Sequence, residues 1–415
     1  MMKKICLTML LPLSAMATEI VDNPPKNTIN PKAVTTLETL KSAPASESQT
    51  TEKQQQQHLP LTLLGKTVQP NSFRTLSWSS EQSFTGIDLG TPVLVANGKH
   101  NGPTLCLTAA VHGDELNGIE ITRQVLHTLD TNTLKGAVIG VPIVNLDGFH
   151  NASRYLKDRR DLNRYFPGST EGAAASRIAH SFFTQVISHC DALVDLHTGS
   201  FYRTNLPQIR ADLRHPPLAD FSRGFGNITI VQSQASQGTL RGAAVAKGIP
   251  AVTMELGAPM SLDLESVDVG VAAIKRLMRS MEMVPEPYRG GSVQPIYVES
   301  FWQRADHSGI FVSDVLLGAK IKPGDVLGRV TDPVTNATFR LRSEVEATVI
   351  GKALNQFVYP GFAVFHLAIA TTPEKVEQKE AEKQQVEQLD EPEAIDQAEP
   401  SLDNLVTDDA EESDG

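Results

Sequence analysis

Long apolar runs are missing from this sequence, and so is any surplus of positive charge. No segment beyond the first few residues approaches the roughly 18 consecutive apolar residues that a membrane-spanning helix requires, so no membrane span is expected. Lys and Arg number 37 against 48 Asp and Glu, for a formal net charge of -11. That balance suggests an acidic enzyme that would avoid nucleic acid. The acidity is local: between residues 374 and 414 there are sixteen acidic residues and three lysines, which leaves the remainder close to neutral. It belongs to a tail and carries no information about a substrate. Cysteine is scarce as well. Three in 415 residues exclude a disulfide scaffold, and none has metal-ligand spacing to another. Cys106 sits in the apolar run Leu105-Cys106-Leu107 and reads as a buried free thiol; an oxidising compartment would still permit one bridge to Cys190 if the geometry allowed it.

What is present begins with Met-Met-Lys-Lys, an apolar run over 5–13, and Ala15-Met16-Ala17 in the small-x-small pattern that signal peptidase cuts. This predicts a signal peptide at 1–17 and export, to the periplasm; the alternative is a cytoplasmic protein that happens to start with a short apolar stretch. Residues 18–58 are rich in Pro, Asn, Thr, Ser and Gln, with too few large apolar side chains to offset the entropy of ordering, and read as a disordered linker. The same reasoning makes 371–415 a disordered acidic tail. The 40% of hydrophobic residues then suffices for a sizeable core between the tails.

Within 59–285, strand and helix patterns alternate. Continuous apolar strands are expected at 104–111, 137–144, 192–196, 228–231 and 251–256, and helical spacing at 116–129, 173–187 and 264–283. The order predicts an α/β catalytic domain: a mostly parallel, mixed sheet with helices on both faces. From 286 to 370 the pattern becomes short, β-rich and punctuated by Gly and Pro, which predicts a separate small β domain, barrel-like in form.

Three expected strands end in chemistry, where an open α/β sheet presents side chains to its ligand crevice. The first ends at Val111-His112-Gly113-Asp114-Glu115. The His-x-x-Glu spacing lets one imidazole and one carboxylate reach a single ion, and Gly113 permits the tight backbone between them. Alone, the tetrapeptide fits equally well a helix start capped by Asp114 or Glu115. The second strand ends at His197, which completes a His₂Glu set of the kind that leaves one zinc position open for water. Asp195, two residues earlier, is placed either to orient an imidazole or to bond the backbone as a buried aspartate. The third ends at Glu255, an acidic side chain in an expensive position and the candidate general base. Between the first two strands lies the arginine-rich loop 153–168. There Arg164 can fork onto a carboxylate, Asn163 can add an amide donor, and Arg154 can stabilise an oxyanion. Arg159 and Arg160 read as solvated surface.

Together the H-G-D-E loop, the S-R-Y and D-L-N-R-x-F-P-G runs, the D-L-H-T-G strand end and the M-E-L-G strand end resemble the succinylglutamate desuccinylase/aspartoacylase family, within the broader zinc carboxypeptidase fold. The resemblance spans about 61–370. It implies one zinc ion on His112, Glu115 and His197, Glu255 as the catalytic glutamate, Asn163 and Arg164 on the substrate carboxylate, and Arg154 on the scissile carbonyl. It further implies hydrolysis of an amide next to a free carboxylate, in a small N-acyl amino acid or a short peptide. Two features depart from the family's cytoplasmic enzymes: the export signal and the long tails. They keep open an exported carboxypeptidase or amidase acting on cell-wall peptides. A non-catalytic zinc- or ligand-binding protein is the reading from another class.

Overall fold

The computed structural model describes residues 58–80, 90–288 and 295–370. The expected signal peptide, the linker up to residue 57 and the acidic tail lie outside them. Among the described residues a 13-stranded mixed sheet dominates. Four parallel strands form its centre, in the order Lys135–Val141, His100–Ala109, Ala192–His197 and Ala251–Gly257. Their sequences are nearly continuous runs of Val, Leu, Ile and Ala because both faces are covered, as parallel strands require.

On one face the helices Asn117–His127 and Leu264–Ser280 bury Ile121, Val125, Ile274 and Leu277 against Leu105, Leu107 and Val252. On the other, Ala174–Gln185 and Leu240–Ala246 bury Phe182 and Leu240 against Val93, Ile139 and Leu193. Each fully buried Leu, Ile or Phe contributes about 1.5–3 kcal/mol relative to exposure, so these two clusters hold the strand ends in fixed relative positions. Helix Leu264–Ser280 starts sharply because the Asp263 side chain accepts from the backbone N–H groups of Glu265 and Ser266.

Among the described residues, parallel pairing is confined to that centre and to a branch in which Thr229–Gln232 pairs with Arg203–Ala211 and with Ile296–Tyr297. The strands that join the centre on either side run antiparallel to it: Thr91–Asn97, followed by Ser72–Trp78, on one side and Arg203–Ala211 on the other. The strand Arg203–Ala211 departs most from the sequence reading. Its pairing with Ala251–Gly257 advances three residues, Gln208 to Asn205, while its partner advances two, Glu255 to Gly257. The extra residue is a β-bulge containing Pro207, whose missing N–H a regular ladder would not tolerate. The bulge breaks the alternation of side chains, which is why no strand pattern is legible there.

The C-terminal stretch is β-rich and has an apolar cluster of its own around Phe311, Leu327, Val349 and Phe365. Its strand Ala347–Ala353 pairs with Arg203–Ala211, so the central sheet continues directly into it. The expectation of a free Cys106 thiol is corrected. Cys106 lies on His100–Ala109, and Cys190 just before the neighbouring parallel strand; with 5.7 Å between their Cα atoms the two form a disulfide.

Candidate metal centre and active-site cleft

Strand ends and one turn assemble the centre. After Ala109 the chain leaves the sheet and turns through His112–Glu115, with Glu115 N–H donating to the His112 carbonyl at 3.2 Å. Gly113 is needed here: a Cβ on it would lie 2.0 Å from the Gly148 carbonyl carbon. The alternative reading of this motif as a capped helix start is not what forms. Helix Asn117–His127 has Leu116 at its N-cap and no side-chain cap, and the Glu115 carboxylate is turned toward the imidazoles instead.

His112, Glu115 and His197 are each at most 4% exposed, and their ligand atoms all lie within 4.8 Å of one another. His112 Nδ1 is 2.8 Å from Glu115 Oε1, His197 Nδ1 is 2.9 Å from Glu115 Oε2, and the two Nδ1 atoms are 3.2 Å apart. The outward nitrogens meet carboxylates: His112 Nε2 donates to Asp161 at 3.0 Å and His197 Nε2 to Asp195 at 2.8 Å. A carboxylate only accepts, so each Nε2 carries a hydrogen and each neutral ring presents its Nδ1 lone pair inward. Three acceptors then point at one place; the donors beside them are Arg154 Nη1, 3.2 Å from His112 Nδ1, and Thr198 N–H, 3.1 Å from Glu115 Oε2. The three acceptors fit a divalent cation, with Asp161 and Asp195 as the carboxylates that orient the imidazoles. Asp195 is itself held by the Thr108 hydroxyl at 2.7 Å.

The electrostatics agree. Burial, then Arg154, oppose a charged His112, yet Asp161 and Glu115 outweigh them and raise its pKa above the ordinary value. Burial also opposes a charged His197, and Asp195 with Glu115 raises it further. Glu115 is pushed up by burial but held well below the usual carboxylate range by His112 and His197. The pocket is built to hold positive charge.

Arg154, with its guanidinium nitrogens donating to Asp161 at 2.8 and 3.2 Å, lies 3.6 Å from Glu115 and under the Phe201 ring. Asn163 and Arg164 sit on a short 3-10 turn whose N-cap is Asp161. Asn163 Oδ1 accepts from Leu240 N–H at 2.8 Å, which leaves its Nδ2 end as the part able to meet a ligand. Glu255 pairs in register with His197 across the parallel strands. Its Oε2 accepts from Asn205 at 3.1 Å, and Arg210 stands 3.8 Å from Oε1. All seven residues named from the sequence for metal, catalysis and substrate line one cleft. Arg159 and Arg160 do not line it, and Arg160 is paired with Asp158 at 2.9 Å.

Sequence reading overlooked Asp161, although its place two residues before Asn163 in a turn is the usual mark of a side chain that caps its own backbone. It also overlooked Asn205 and Arg210 on the bulged strand, Arg241, and Trp302 and Arg304 from the C-terminal stretch, all of which line the cleft. Asp161 opens the D-L-N-R run, whereas Asn205, Arg210, Arg241, Trp302 and Arg304 stand in no local motif.

Residues 101–281 match the family model of the succinylglutamate desuccinylase/aspartoacylase catalytic domain. This stretch is similar to that family's catalytic domain. The matched stretch contains every site residue named so far except Trp302 and Arg304. The N-alpha-acetyl-L-2,4-diaminobutyric acid deacetylase of Halomonas elongata is 27% identical over 274 residues, covering 63% of this chain and 80% of the relative. Among solved structures, a succinylglutamate desuccinylase/aspartoacylase from Rhodobacter sphaeroides superposes with a TM-score of 0.65 at 23% identity, covering 72% of this chain and 96% of the other. The product-bound ectoine utilization protein EutE (DoeB) of Ruegeria pomeroyi gives 0.63 at 24%, covering 72% and 94%. At these identities the structures establish a shared fold.

Proposed function

We propose that this protein is a zinc-dependent deacylase that hydrolyses the amide bond of a small N-acyl amino acid, next to its free carboxylate. The observation that carries the proposal is the convergence of His112, Glu115 and His197 on one point with Glu255 on the adjoining strand position. The relative from Halomonas elongata, named as a deacetylase of an acylated amino acid, supports the substrate class. The cleft supports it too: among the described residues Arg154, Arg164, Arg203, Arg210, Arg241 and Arg304 line it against two carboxylates, Glu115 and Glu255, an environment that favours an anionic ligand.

A zinc ion held by His112, Glu115 and His197 would supply Lewis acidity, acidifying water and polarising the scissile carbonyl. Asp161 and Asp195 keep both imidazoles in the tautomer that presents Nδ1. Glu255 accepts the proton of the attacking water and delivers it to the departing amine. Arg154, locked on Asp161 beside the ligand set, offers N–H donors to the oxygen on which negative charge develops. Arg164 and the Nδ2 end of Asn163 hold the substrate carboxylate, fixing the amide over Glu255.

Export accompanies this reading. The Cys106–Cys190 disulfide suits an oxidising compartment, as a signal peptide at 1–17 would deliver. Fractionation with N-terminal sequencing tests it: a periplasmic protein beginning at residue 18 supports export, a cytoplasmic protein with its first residues intact rejects it. For the activity, the zinc-loaded protein is assayed on N-acyl amino acids and on muropeptides. Turnover of the former, lost in Glu255→Gln with zinc still bound, is expected. Cleavage of muropeptides alone would replace the substrate class, and full activity of Glu255→Gln would remove Glu255 as base.

A further inference from the structure

We infer that Asn205 is a positioning residue for Glu255, and that the C-terminal β-rich stretch serves the reaction by fixing Asn205. This rests on the reading of Glu255 as the general base. Asn205 is 4% exposed, lines the cleft and donates from Nδ2 to Glu255 Oε2 at 3.1 Å. The orientation of the amide follows from chemistry: a carboxylate only accepts, so the NH₂ end must face it. Glu255 is thereby held at one oxygen, with Arg210 facing the other.

Asn205 reaches this place by construction. A regular antiparallel ladder would put residues 205 and 208 on opposite faces of the sheet. The bulge between them turns Asn205 onto the face of Glu255, in the manner by which bulges re-aim side chains beside active sites. On its other edge Asn205 is register-paired with Gly351 of the C-terminal stretch. A Cβ at Gly351 would come within 2.7 Å of Asn205 Oδ1, so the glycine leaves room for the amide. Two residues earlier, the Arg203 guanidinium lies over the Trp302 and Phe362 rings at 5.0 and 4.8 Å, and its Nε donates to the Ala363 carbonyl at 3.0 Å. The segment that carries Asn205 is therefore held on one edge by Gly257 of the central sheet and on the other by residues from beyond the matched stretch. Asn205 Oδ1, buried and without a hydrogen-bond partner among the described residues, is consistent with an amide placed for its donor end.

The test is a double-mutant cycle on the full-length, zinc-loaded protein, with kcat, KM, metal content and thermal midpoint measured for each variant. Asn205→Asp keeps the shape but puts an acceptor against Glu255; Asn205→Ala removes the donor. Both are expected to lower kcat on the order of 10–100-fold with KM within about threefold and metal content unchanged, a loss seated in the chemical step. In the Glu255→Gln background, Asn205→Ala should cost little further, because the two residues act as one unit. Gly351→Ala, outside the cleft, should lower kcat in the same sense and to a smaller extent, and it reads the same contact should the Asn205 variants fold poorly. Additive losses from Asn205→Ala and Glu255→Gln, or a fall in activity that tracks only lost metal or folded protein, would overturn the inference while leaving Glu255 as base. Undiminished activity of Glu255→Gln would instead overturn the underlying reading.

Discussion

His112 Nδ1 and His197 Nδ1 face each other at 3.2 Å, with the Glu115 carboxylate closing the third side. Because Asp161 and Asp195 occupy the outer nitrogens, neutral rings would set lone pair against lone pair. Positive charge between them, a proton or a metal ion, resolves the repulsion.

This competition gives the metal-free protein a characteristic pH response. Both imidazoles have folded pKa values above the ordinary 6.5. Groups raised on folding contribute stability that is fully present below 6.5 and is lost as pH climbs through their folded values. Glu115 and Asp161 are lowered from 4.5 and 3.8, so their contribution is complete above those values and flat in this window. The thermal midpoint of metal-free protein should fall as pH rises from 6.5, while the increase produced by added zinc should grow over the same range. Calorimetry with and without zinc checks both slopes; a zinc increment that shrinks with rising pH contradicts the ligand assignment.

Asp161→Asn and Asp195→Asn keep the size of each side chain and remove the charge that fixes the imidazole. Each should weaken metal affinity by roughly 10–100-fold, read by competition with a chromophoric chelator. An unaltered affinity in Asp161→Asn would show that its bond to His112 does not orient the ring.

Gly113→Ala introduces a Cβ that would lie 2.0 Å from backbone at Gly148. Backbone cannot yield as a flexible side chain would, so the turn carrying His112 and Glu115 must shift. Substoichiometric metal and activity reduced in proportion are expected, with helical content retained in circular dichroism.

The disulfide closes a sequence separation of 84 residues between adjacent parallel strands. Replacing both cysteines, Cys106→Ala with Cys190→Ala, should cost about 2–4 kcal/mol in denaturant unfolding, without changing metal content.

These predictions involve residues of uneven legibility. His112, Glu115, His197 and Glu255 stand at the ends of continuous apolar strands, where polarity appears abruptly and the register of the sheet does the rest. The helices Asn117–His127, Ala174–Gln185 and Leu264–Ser280 are equally plain from their spacing, whereas the seven-residue Leu240–Ala246 is too short to show a period. Asp161 was hidden in a loop full of charge, where no period separates a buried carboxylate from a solvated one. Asn205 was hidden because the bulge at Pro207 breaks the alternation by which a strand is recognised. The Cys106–Cys190 bond depended on which strands are neighbours, a tertiary fact that no local pattern contains.

The most direct measurement is the metal content of the purified, folded protein after chelation and zinc reloading, by inductively coupled plasma mass spectrometry, alongside hydrolysis of an N-acyl amino acid panel. One zinc per chain is predicted, lost in His112→Ala and in His197→Ala, with turnover rising and falling with occupancy. Folded wild-type protein that stays metal-free after reloading, or that hydrolyses its substrate equally well without metal, would contradict the account.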